Sequence, residues 1–157
     1  MRRLALSAAA ATAVLAVTLP VAGPAGPAGA ATPPLKFGSF RADPAGNDLP
    51  MTTAKLNGEY IVVTNTTSRA IVMTGYKVYD AGRKHTYAFP RGYAIAGRKS
   101  VVLRTGSGRN TATDVYWGKT NTYVWNNTGD TATLVSSTGA KVHACTYKPV
   151  STGTKAC

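Results

Sequence analysis

The chain has 157 residues, of which 18 are Lys or Arg and only 6 are Asp or Glu, for a formal net charge of +12. With 44% hydrophobic residues and no run of like charges, it is not a disordered basic tail. Six carboxylates and two histidines leave little material for acid–base chemistry, which sets most enzyme classes aside.

Met1, Arg2 and Arg3 open the chain, followed by an uncharged Leu/Ala/Val-rich run from Leu4 to Thr18 and then a Gly/Pro/Ala stretch ending Ala28-Gly29-Ala30. A basic start, a short apolar segment and a small-residue site together describe a secretory signal peptide. The apolar run falls short of the roughly 20 residues that span a bilayer, and helix breakers follow it. The Arg pair fits a twin-arginine route as well as an ordinary basic start. Residues 1–31 are therefore expected to be a cleaved leader. Residues 32–157 then form one extracellular domain with no integral membrane anchor and too few residues for a second domain.

Losing Arg2 and Arg3 leaves 16 of the 18 basic residues against 6 acidic ones, about +10. The basic residues are scattered from Lys36 to Lys155. Attraction to an anionic extracellular polymer, a nucleic acid or a phosphate-bearing wall polymer, is one reading. A soluble surface with an alkaline isoelectric point is the plainer one, and another secreted protein is a further class of partner. Cys145 and Cys157 are the only cysteines, an even count suited to an oxidising compartment, and one disulfide between them is expected.

Short runs of β-branched and aromatic residues, punctuated by Gly, Asn, Asp and Pro, read as strands. They fall near residues 36–41, 59–65, 70–73, 76–79, 85–89, 100–105, 115–117, 123–125, 131–136 and 142–147. Asp80-Ala81-Gly82 and Ser137-Thr138-Gly139 supply hairpin turns, and Asn126-Asn127-Thr128-Gly129-Asp130 is a further turn signal. No stretch after residue 35 shows a sustained helical period. The expected fold class is all-β, an immunoglobulin-like sandwich, with a closed barrel as the alternative. Its core covers about residues 36–147, with a short C-terminal tail.

Leu56-Asn57-Gly58-Glu59-Tyr60-Ile61-Val62-Val63-Thr64-Asn65 resembles the opening strand of a lamin tail domain. Thr74-Gly75-Tyr76-Lys77-Val78-Tyr79-Asp80, Tyr87-Ala88-Phe89-Pro90, Val101–Gly108 and Val115-Tyr116-Trp117-Gly118 follow in order. Val124-Trp125-Asn126-Asn127-Thr128-Gly129-Asp130-Thr131-Ala132-Thr133-Leu134 completes the set and is its most specific member. Tyr76 stands where the family usually has Trp. The resemblance implies an immunoglobulin-like sandwich of the bacterial, secreted, stand-alone type, with no catalytic residues to carry over. Such a fold assigns no ligand by itself.

Ser107 lies in Gly106-Ser107-Gly108 without the flanking pattern of a nucleophile elbow. Gly118-Lys119-Thr120 imitates the end of a phosphate loop, but Thr113 occupies the position that needs glycine. Asp43, Asp48 and Glu59, with Asn47 and Asn57 between them, form an oxygen-rich cluster suited to Ca²⁺ at the sandwich edge. The ordinary alternative is turn chemistry around Asp43, with Glu59 accepting structural hydrogen bonds. No metal or other cofactor is expected. Tyr116, Trp117, Lys119, Tyr123 and Trp125 lie close in sequence and form a candidate ligand surface if exposed, or core if buried. The function expected from the sequence is a secreted, non-catalytic binding or scaffolding module. A small secreted hydrolase such as a nuclease, or an accessory domain to one, is the alternative.

Overall fold

The computed structural model describes residues 32–157. The expected leader lies outside the described residues. Among the described residues, eleven strands and one helix run in the order β1 (Leu35–Arg41), α1 (Thr53–Gly58), β2 (Tyr60–Asn65), β3 (Ile71–Val72), β4 (Lys77–Tyr79), β5 (Thr86–Ala88), β6 (Ala94–Ile95), β7 (Ser100–Arg104), β8 (Asp114–Tyr116), β9 (Asp130–Val135), β10 (Lys141–Tyr147) and β11 (Thr154–Ala156).

These form a five-stranded sheet in the order β11-β1-β2-β7-β8, a four-stranded sheet β10-β9-β4-β5 and a small β3-β6 ribbon. All pairings are antiparallel except β7 with β8. The inward faces of the two larger sheets build one core. Phe37, Ile61, Val63, Leu103 and Val115 come from the first, and Val78, Ala132, Leu134 and Tyr147 from the second. Alternation along β2 and β7 sends every second side chain inward. A register shift between Phe37 and Phe40 lets both of these rings point inward although they are three residues apart. Burial of each large apolar side chain contributes about 1.5–3 kcal/mol.

The buried Asn65 closes β2 without leaving a polar atom stranded. Its amide donates to Arg69 O at 2.8 Å, Ile95 O at 2.9 Å and Ala96 O at 3.2 Å, and its Oδ1 accepts from Thr67 N at 2.9 Å. At the other end, the Cys145–Cys157 disulfide joins β10 of one sheet to the residue after β11 of the other.

Four expectations change. Residues 53–58 form a helix where none was expected. A single turn is too short to display a period, but Thr52 caps it by accepting from Lys55 N at 3.3 Å, and Leu56 is buried beneath it. The last residues are not a free tail, because β11 pairs along the β1 edge. β6 was not anticipated, being only Ala94–Ile95. Residues 123–125, expected as a strand, form a loop. The Val124 and Trp125 amides are engaged by a side chain, leaving no ladder to join. Tyr76, the departure from the family pattern, is partly buried against the core. Among the described residues no helix is long and apolar enough to cross a membrane.

Candidate functional site

Glu59 caps the end of α1 and enters β2 with its carboxyl inside the protein, fully buried. Thr105 Oγ1 donates to Oε2 in a short hydrogen bond, Val124 N donates to Oε2 at 2.9 Å, and Trp125 N donates to Oε1 at 2.9 Å. Thr105 N also donates to the Glu59 carbonyl at 3.1 Å. One side chain thus fastens β7 and the 117–129 loop to the start of β2. Burial pushes this carboxyl up from 4.5 to about 7, against three hydrogen bonds that favour its charged form; the nearby Asp130 pushes in the same direction as burial.

In this geometry the residues of the candidate calcium cluster are engaged by other partners. Both Glu59 oxygens are taken by donors and face inward. Asp48 Oδ2 accepts from Asn127 Nδ2 at 3.3 Å, and the Asn47 carbonyl accepts from Lys55 Nζ at 2.7 Å. Asn57 Nδ2 donates to Ser107 O at 3.0 Å, and Asp43 is tied through its backbone to Gly153 O at 3.3 Å. Among the described residues no group of three or more His, Cys, Asp or Glu side chains could hold a metal ion.

Of the five residues of the candidate ligand surface, Trp125 is buried and the other four are partly exposed. Trp125 is core, 2% exposed, with its ring edge-on to Phe40 at 4.8 Å and to Trp117 at 5.5 Å. Of the two alternatives left open by the sequence, Trp125 takes the core one, since a buried indole has no free face for a ligand. Trp117 is half-buried beside Tyr87. Tyr116 belongs to β8, in register with Arg104, and packs so closely on Gly108 that a Cβ there would sit 2.4 Å from its ring. Tyr123 donates its hydroxyl to Asp48 O at 3.3 Å, and Lys119 is held through its backbone to Thr105 O at 3.0 Å.

Tyr123 and the Trp125 segment line a cleft of about 400 Å³ with Asp80, His85 and Asp130. Asp80 accepts from His85 N at 3.1 Å and pairs with His85 Nδ1 at 3.0 Å. Asp130 accepts from the backbone amides of Ala81 at 3.0 Å, Asn126 at 3.0 Å and Thr131 at 2.7 Å. These carboxylates clamp two loops, and no serine lines the cleft. Ser107 Oγ donates instead to Lys119 O at 3.5 Å. Thr122, which lines the cleft, donates its hydroxyl to the Tyr123 carbonyl at 3.0 Å.

A second concavity, about 520 Å³, opens over the four-stranded sheet and was not found from the sequence. Lys77, Tyr79, Arg83 and Thr86 line one side, and Val135 with the Ser136–Gly139 turn lines the other. Lys77 pairs with Val135 across β4 and β9, so strand register joins segments more than fifty residues apart. The alternation of β4 is the only sequence signal for it.

A model of the Lamin Tail Domain family matches residues 28–149. No curated protein sequence matches the chain. A two-sheet sandwich, an acidic residue buried at the start of β2 and a match over most of the length agree: the chain belongs to the lamin tail domain family of non-catalytic, immunoglobulin-like domains.

Proposed function

We propose that this protein is exported and acts outside the cell as a non-catalytic binding module for an anionic polymer. The observation that carries the reading is unpaired positive charge. Among the described residues only two ion pairs occur, Arg104 with Asp114 at 2.7 Å and His85 with Asp80 at 3.0 Å. Every other Lys and Arg described lacks a carboxylate partner. Such a surface gathers polyanions by releasing their counterions. The disulfide supports an oxidising compartment and so supports export.

The test is retention on an immobilised polyanion. Protein lacking residues 1–31 is expected to bind at low salt and to elute as ionic strength rises, with DNA recovered intact. Failure to bind at low salt overturns the proposal. Metal-dependent cleavage of DNA would replace it with a nuclease.

A further inference from the structure

We infer that the concavity over β4, β5 and β9 is the polymer site, and that it takes a phosphodiester chain whose repeating unit is an aliphatic polyol. This rests on the reading that the protein binds an anionic polymer, and it adds the place and the class.

The groove is cationic without internal compensation. Lys77 and Arg83 are exposed, and none of the six carboxylates lines it. The Arg83 guanidinium lies over the Tyr79 ring, 4.5 Å from its centroid, while Nη2 donates to the Tyr79 hydroxyl at 3.1 Å. These two contacts hold a planar fork in place and leave its other N–H groups for phosphate oxygens. Arg83 also has φ of 54°, a left-handed backbone that a residue with a Cβ seldom adopts. That conformation carries its side chain back over β4. Lys77, two residues from Tyr79 on the same strand face, adds a point charge about 7 Å along the groove.

The walls are hydroxylic. Thr86 stands opposite Tyr79 in register, and Ser136, Ser137 and Thr138 form the far side. Ser136 Oγ and Thr138 Oγ1 lie 2.8 Å apart, which fixes the turn. Gly75 lets this turn approach: a Cβ at that position would lie 2.8 Å from Ser137 Cβ. The end wall is therefore set by packing before any ligand arrives.

The same geometry disfavours bases. Tyr79 is the sole aromatic residue lining the groove, and Arg83 already covers its ring. Single-stranded nucleic acids gain much of their affinity by stacking bases on open rings. A polyol phosphate needs cations and hydroxyl partners, which are what this groove provides.

The experiment is an amide NMR titration of the protein without residues 1–31 against poly(glycerol phosphate), repeated on two variants. Shifts are expected at Lys77, Tyr79, Arg83 and Ser137. K77A/R83A should bind about tenfold more weakly, whereas R91A/K148A, which loses equal charge from exposed positions outside the groove, should lose no more than about twofold. Unchanged melting of both variants confirms that their folds are intact. Equal losses in the two variants would overturn the groove and leave the anionic-polymer reading standing. No binding by the unsubstituted protein would overturn both. Tighter binding of single-stranded DNA, with shifts at the same residues, would overturn the polyol assignment.

Discussion

Glu59 offers the sharpest test because one substitution separates two opposing effects. In Glu59→Gln the side-chain oxygen can occupy the Oε2 position and still accept from Thr105 Oγ1 and Val124 N. The amide nitrogen then faces Trp125 N, which loses its acceptor. One buried donor without a partner costs about 1–3 kcal/mol. Against this, glutamine never carries the charge that burial penalises. The folded carboxyl titrates at about 7 against 4.5 unfolded, so between those values the folded state holds more protons. Raising the pH therefore weakens folding. The contribution is fully present below 4.5 and is lost as pH passes 7, and the difference corresponds to roughly 3 kcal/mol. Glu59→Gln should destabilise by about 1–3 kcal/mol near pH 4 and be close to neutral, or slightly stabilising, near pH 8. Urea unfolding followed by tryptophan fluorescence reads this directly, since Trp125 sits on the network. Parallel stability profiles for the two proteins would refute the dominance of burial over the three hydrogen bonds.

Three further outcomes follow from the same structure. Replacing Cys145 and Cys157 by serine should lower stability by about 3 kcal/mol, because a twelve-residue separation is closed and the two sheets are tied; an unchanged urea midpoint would contradict this. His143 accepts from Phe37 N at 3.2 Å through Nδ1, and burial, with Lys36 nearby, lowers its pKa below 6.5. Its contribution to stability is present above 6.5 and is lost as pH falls through the folded value, and a ring titration midpoint at or above 6.5 by NMR would refute it. Thermal melts with and without a chelator should coincide, since both Glu59 oxygens are engaged by protein donors; a drop with chelator would restore the calcium site.

What could be read from the residues alone was local. Alternation in Tyr60–Asn65 and the turn formers around Asp80 and Gly139 announce strands and hairpins through short-range preferences. Two cysteines permit one intramolecular pairing, and that disulfide is present. The ordered motifs carried the family, which the family match shows. Tertiary structure decided whatever depends on partners distant in the chain. Tyr123-Val124-Trp125 has the composition of a strand, yet it is a loop because Glu59, more than sixty positions earlier, takes its amides. Thr154-Lys155-Ala156 lacks a strand's apolar alternation, yet it pairs because the β1 edge lies open beside it. Trp125 is core and Trp117 only partly so, a distinction set by which rings close over them. The groove over β4 exists only through the Lys77–Val135 register, and no window of sequence contains both of its walls. Side-chain chemistry is written residue by residue, but the field and the space in which it acts are made by packing.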